Sequence, residues 1–180
     1  MIDAPRDRHR LALVAVLVSL LAGFLTAATT PAVAADVVVS QNKPVTASSS
    51  ESAGTSAAAA VDGNDGTRWS SAFSADQWFQ VDLGAATRIS QVAVNWENAY
   101  AKAFTIQLST DGSAYAQAYA TTTGTGGRQA VPVTGTARYV RITLTQRALP
   151  SYGYSMWEFQ VLGAAATSPI ANVALVNNTS

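Results

Sequence analysis

WFQVDLG (Trp78 to Gly84) and ISQVAVNW (Ile89 to Trp96) alternate along their length with a period of two. That period sends successive side chains to opposite faces of an extended chain, whereas a buried helix needs a period near 3.6. In the second run Ile89, Gln91, Ala93 and Asn95 share one face, and Ser90, Val92, Val94 and Trp96 share the other. FTIQLST (Phe104 to Thr110), ARYVRITLT (Ala137 to Thr145) and SMWEFQVLG (Ser155 to Gly163) keep the same period, and Asp111-Gly112 supplies a turn after the first of them. Short strands separated by Gly, Asp, Ser and Thr turns predict an all-β fold, an antiparallel sandwich or barrel. Residues 36–163 suffice for about eight such strands around a core holding several tryptophans. Trp69, Trp78 and Trp157 lie in or beside these runs and are expected to pack inside.

Outward from these runs the pattern changes. Val37 to Val61 begins like a strand and becomes a Ser/Ala-rich loop, and Pro44 marks its strand as an edge, because proline cannot donate to a ladder. The first 34 residues differ again. Arg6, Arg8 and Arg10 precede an apolar run from Leu11 to Ala28, followed by Ala32-Val33-Ala34, a small-x-small site. This order reads as a secretory signal peptide over 1–34, and so as a secreted protein. The run is also just long enough to cross a bilayer, so a membrane association follows only if the leader is not cleaved. The domain is then 35–163, and 164–180 is a linker or the start of a truncated second module, since Ala171 to Leu175 echoes Ala35 to Val39.

Composition narrows the chemistry. The 180-residue chain has no Cys and a single His, His9, which lies in the leader. Beyond the leader, Ser-His-Asp and Cys-His catalysis and zinc sites of Cys and His are therefore excluded. Eight basic residues follow the leader against nine acidic ones, with no basic cluster, so no nucleic-acid footprint is present. A monomer is expected.

AAVDGNDGTRWSS (Ala59 to Ser71) crowds carboxylate, amide and hydroxyl oxygens around two glycines. Oxygens spaced this way in a tight turn can converge on a hard cation, because calcium takes six to eight oxygen ligands. They can equally form an Asx-rich turn, and an EF-hand is ruled out by the missing Glu at its twelfth position.

NKPVTASSS, AVDGNDGTRWSS, QWFQVDLG, ISQVAVNWE, IQLSTDGS, ARYVRI and YGYSMWEFQVLG, in that order across 36–163, resemble the F5/8 type C, or discoidin-like, family, and within it carbohydrate-binding module family 32. The resemblance implies an eight-stranded jelly-roll sandwich, one structural calcium, and a ligand site on loops at one end. By position the ion would be held by the Ala59 carbonyl, the side chains of Asp62, Asn64 and Thr67, the Trp157 carbonyl and the Glu158 carboxylate. NWENAYAKAF and ALPSYGYSMWEF look like modules attached to bacterial chitosanases and β-glucanases. The matching ligand residues are Glu51, Arg68, Phe73, Glu97 and a tyrosine of the YGY segment, Tyr152 or Tyr154, with Phe73 standing where those members have tyrosine. Trp96, at the end of its strand, joins them as a candidate stacking ring.

The partner implied is a polysaccharide or oligosaccharide. A glucosamine polymer would place ammonium groups against Glu51 and Glu97, each exposed pair worth about 1 kcal/mol in water. A β-glucan would use the same carboxylates as hydrogen-bond acceptors. Two other classes stand beside this binding module. One is adhesion to a protein or lipid surface. The other is a small glycoside hydrolase, which needs two carboxylates about 5 to 9.5 Å apart and a pocket that raises the pKa of one.

Overall fold

A computed structural model of the chain describes residues 35–165. The leader and all but the first two residues of the tail, with the expectations placed on them, lie outside the described residues. Eight strands form: β1 (Val37–Val38), β2 (Val45–Ala47), β3 (Trp69–Ser70), β4 (Gln77–Trp96), β5 (Ala101–Ser109), β6 (Ala116–Thr121), β7 (Arg128–Arg147) and β8 (Ser155–Ala165). Every pairing is antiparallel, in the order β1-β8-β4-β7-β5-β6, with β2 on β4 and β3 on β8. The fold is an all-β jelly-roll sandwich. β2, which begins just after Pro44, is an edge strand.

The runs Trp78 to Gly84 and Ile89 to Trp96 are one strand, not two. β4 continues through Gly84 (φ 84°) to Thr87, and its pairing with β7 shifts register between Asp82 and Thr87. Its first half pairs with β2 and the end of β7, its second half with β8 and the start of β7. Two 20-residue strands therefore pass from one layer of the sandwich into the other.

The core lies between the layers. Trp69, Phe79, Phe159, Ile106, Ile142 and Leu144 are fully buried. Phe79 packs with ring centroids 5.4 Å from both Trp69 and Phe159. Burying side chains of this size removes roughly 1.5–3 kcal/mol of apolar exposure each, which is what holds short strands together. Trp69 also donates its indole N–H to the Ser49 carbonyl at 2.9 Å, so its polar edge is satisfied inside.

Three expectations about faces are corrected. A register shift between Ile89 and Gln91 inserts Ser90 as an extra residue, which turns Ile89 to the core beside Val92, Val94 and Trp96. Trp78 does not pack inside, because its neighbour Phe79 takes the inward position; the Trp78 ring lies on the outer face, 4.7 Å from the Arg141 guanidinium carbon. Trp157 is only half-buried, since β8 steps from Met156 to Glu158 against Trp96 and Asn95, leaving Trp157 as a bulge. The Ser/Ala segment read as loop contains two short 3-10 turns, Ala53–Thr55 and Ala57–Ala60.

Candidate functional site

The Asp/Asn/Gly turn is drawn onto the last strand. Gly63 (φ 80°) lets the chain reverse, and the backbone N–H groups of Gly63 and Asn64 donate to Glu158 Oε1 at 2.9 and 3.1 Å. Asp62 Oδ1 accepts from the Asn64 N–H at 2.9 Å, and Asp62 Oδ2 from the Thr67 hydroxyl at 2.7 Å. Asp62, Thr67 and Glu158 thus meet in one place, where Glu158 is only 4% exposed. Asn64 differs from the expectation: its Oδ1 turns back to the Gly66 N–H at 2.9 Å, and its share in the cluster is its backbone N–H. Asp65 stands apart and accepts from Asn95 Nδ2.

Burial pushes the Glu158 carboxyl above the usual carboxylate range; its two N–H donors oppose this, and the neighbouring Asp62 adds to it. Among the described residues neither carboxylate has a Lys or Arg partner, the two ion pairs being Arg88–Asp36 and Arg138–Asp82. Two carboxylates and a hydroxyl, with nothing softer than oxygen, fit a hard divalent cation and do not fit zinc. The described residues hold no group of three Asp, Glu, His or Cys side chains, so backbone carbonyls would have to complete such a shell. The bulge at Trp157 leaves that residue without a β4 partner, and Ala59 lies in the 3-10 turn that leads into Asp62.

A second cluster occupies the end of the sandwich where five chain segments meet. Glu51, Arg68, Phe73, Glu97 and Tyr152 line one cleft of about 340 Å³. All five stand on loops, two of them tied by their backbone to strand residues. Glu51 is held by its N–H on the Ser70 carbonyl (2.7 Å), and Glu97 by its N–H on the Ser155 carbonyl (3.1 Å). Glu97 Oε2 also accepts from the Ala99 N–H at 2.9 Å, leaving Oε1 free for another partner. Phe73 and Tyr152 are 53% and 56% exposed and meet edge to face, centroids 6.1 Å apart. Large rings so exposed are the usual stacking surface for the apolar face of a sugar. Arg68 Nη1 is buried and has no hydrogen-bond partner, an unused charged donor in the cleft wall.

Two expected ligand residues are not in the cleft. Trp96 is 3% exposed and packs on Phe104 at 5.7 Å, because it continues the inward face of Val92 and Val94 to the end of the strand. Tyr154 is fully buried; Gly153 passes so close to the Ser71 and Ala72 carbonyls that no side chain fits there, and the next residue enters the core. Burial pushes the Tyr154 hydroxyl up to about 12, and its oxygen has no hydrogen-bond partner. Tyr152 is therefore the tyrosine of the YGY segment that faces out. Asn98 and Leu149 line the cleft as well and carried no sequence signal, since a lone amide or leucine in a loop belongs to no pattern.

Comparison with known proteins places this geometry. The F5/8 type C domain model matches residues 44–159. Chitosan-binding module 1 of the chitosanase/glucanase from Paenibacillus sp. IK-5 is 45% identical, with a TM-score of 0.68 over 71% of this chain and 99% of that one. Module 2 of the same enzyme, solved in complex with chitotriose, is 43% identical, with a TM-score of 0.66 over 68% of this chain and 98% of that one. The polysaccharide lyase 8 family protein HylA of Enterococcus faecalis is 36% identical over 69 residues, which is 38% of this chain. The matched segment spans 5% of that protein's length. With a family model covering most of the described sandwich, and relatives of the same size at this identity, the chain belongs to the F5/8 type C domain family.

Proposed function

We propose that this protein is a secreted carbohydrate-binding module that holds a glucosamine-rich polysaccharide in the Glu51–Glu97 cleft without cleaving it, on a scaffold fastened by calcium. The observation that carries the reading is the convergence of Glu51, Arg68, Phe73, Glu97 and Tyr152 on one cleft, in a chain whose relatives at 43% and 45% identity are chitosan-binding modules. Phe73 and Tyr152 would stack on the sugar's apolar faces, the free Glu97 oxygen and Glu51 would take ammonium or hydroxyl hydrogens, and Arg68 Nη1 would donate to a ring or hydroxyl oxygen. With two carboxylates against one guanidinium the cleft favours a cationic chain.

Asp62, Thr67 and Glu158, with the Ala59 and Trp157 carbonyls, would hold calcium. The ion supplies the positive charge that two adjacent carboxylates otherwise lack. Its effect is to tie the turn to β8, adding stability as RT ln(1 + [Ca²⁺]/Kd), about 2.7 kcal/mol at a hundredfold excess over Kd.

An affinity gel containing chitosan tests the reading. Wild type should be retarded and Glu97→Ala should run free, with no reducing ends released from chitosan oligomers. Equal mobility of the two proteins would remove the cleft from the function, and steady release of reducing ends would make the protein an enzyme.

A further inference from the structure

A groove of about 530 Å³ lies at the opposite end of β5 from the cleft. β5 starts two residues after Ala99 of the cleft and runs nine residues to Ser109, which lines the groove, so the two are roughly 25–30 Å apart along the strand. Its chemistry is the reverse of the cleft's. Leu108 gives it an apolar floor, Thr110, Gln117, Thr134 and Thr136 give it hydroxyl and amide groups, and no acidic or basic side chain lines it. Thr110, Gln117, Thr134 and Thr136 are exposed, and among the described residues Gln117, Thr134 and Thr136 make no side-chain hydrogen bond that would need breaking.

One ring stands in this neutral wall, and it is held from behind. Tyr115 donates its hydroxyl to Gln80 Oε1, which also accepts from Arg141 Nε and Nη2 at 3.1 and 2.8 Å. The Arg141 guanidinium carbon lies 4.0 Å from the centre of the Tyr115 ring and 4.7 Å from that of Trp78. A ring held by an amide and by a guanidinium that itself rests on Trp78 has less rotamer freedom to lose, so a ligand stacking on it orders little further. A fixed ring, an apolar floor and uncharged donors and acceptors suit a molecule with apolar faces and hydroxyl edges.

We infer that the Tyr115 groove is a second saccharide site, for an uncharged polysaccharide such as a neutral β-glucan, independent of the charged cleft. The uncharged lining selects the occupant: an ammonium or carboxylate entering this groove would shed water with no charged side chain in the lining to meet it, the Arg141 guanidinium lying behind the Tyr115 ring and already engaged by Gln80.

Calorimetry with laminarihexaose and cellohexaose, and separately with a chitosan hexamer, tests it on wild type, Tyr115→Ala, Tyr115→Phe and Glu97→Ala. At least one neutral hexamer should bind wild type and Glu97→Ala equally. Tyr115→Ala should weaken that binding at least tenfold while leaving the chitosan hexamer unaffected, and Tyr115→Phe, which keeps the ring, should restore it to within about threefold. No neutral binding by wild type, unchanged binding by Tyr115→Ala, or loss of neutral binding in Glu97→Ala would each overturn the second site. Loss of chitosan binding in Glu97→Ala alone bears only on the cleft. Should Tyr115→Ala lose chitosan binding too, the exposed pair Gln117→Ala/Thr136→Ala decides: a threefold or greater loss for the neutral hexamer supports the groove, and no change overturns it.

Discussion

Two regions of this molecule hold a pair of acidic side chains, and they are treated in opposite ways. At the Asp62–Glu158 turn the carboxylates lie side by side, one of them buried, and together accept four hydrogen bonds from Gly63, Asn64 and Thr67. In the cleft, Glu51 is exposed, Glu97 keeps an oxygen unengaged, and a guanidinium stands in the same wall. Identical functional groups therefore carry different tasks according to their wetness and what already binds them. A crowded pair with one buried member suits the calcium proposed above, and a wetter, half-used pair is available to a visitor.

Removing divalent cations is the most forceful way to break that contrast. EDTA should lower the midpoint of thermal unfolding by on the order of 10 °C, the equivalent of about 2–3 kcal/mol, and calcium should restore it. In Asp62→Asn the melting curve should no longer respond to either. An unchanged midpoint in wild type would leave the turn as a plain Asx turn. Next in size is Glu97→Gln. It preserves an acceptor for the Ala99 N–H but deletes the charge, so chitosan-oligomer affinity should fall about tenfold, or about 1.4 kcal/mol, with thermal stability unaltered. A stability loss with affinity intact would assign Glu97 to the loop's architecture.

The tyrosine pair sharpens the same distinction. Tyr152→Ala should weaken oligosaccharide binding several-fold, about 1 kcal/mol, without loss of stability. Tyr154→Phe deletes a buried hydroxyl that has no partner and should leave affinity untouched while raising stability by up to about 1 kcal/mol. The reverse result in titration calorimetry and melting would exchange their roles. Smallest is Arg138→Ala. Arg138 donates to both oxygens of Asp82 at 2.7 and 2.8 Å, which, with the Gly84 N–H, holds that carboxyl below the usual aspartate range against the cost of its burial. A lowered native pKa contributes stability above the ordinary aspartate value, and that stability is lost as pH falls through the lowered one. The pair is partly exposed, so the variant should lose only a small part of its stability at pH 7 and converge on wild type as pH falls through the lowered value. A constant difference across that range would mean packing, not charge.

What the sequence disclosed followed from periodicity, and what it hid followed from interruptions in it. The alternating runs within β4, β5, β7 and β8 were readable because each has one dry face. The Ser90 and Trp157 bulges were not, because an inserted residue reverses parity without altering composition, and it is parity that decides whether Ile89 or Trp157 faces inward. Joining two runs into one strand across Gly84 was equally invisible, since a glycine between alternating segments signals a turn as readily as a bend. The charged cleft residues stood out against a Ser/Ala background. Telling Tyr152 from Tyr154 required knowing that Gly153 is pressed against backbone carbonyls.

The pairing of β1 with β8 has a mechanical consequence. Val37 faces Gly163 and Val38 faces Leu162, so the chain enters beside the point where it departs, and the far end of β8 carries the cleft. A force separating residues 36 and 164 peels this two-rung ladder open one rung at a time and never loads its rungs together. The described domain is thus compliant where it is pulled: a tethered load would open β1 before strain reached the cleft at the other end of β8.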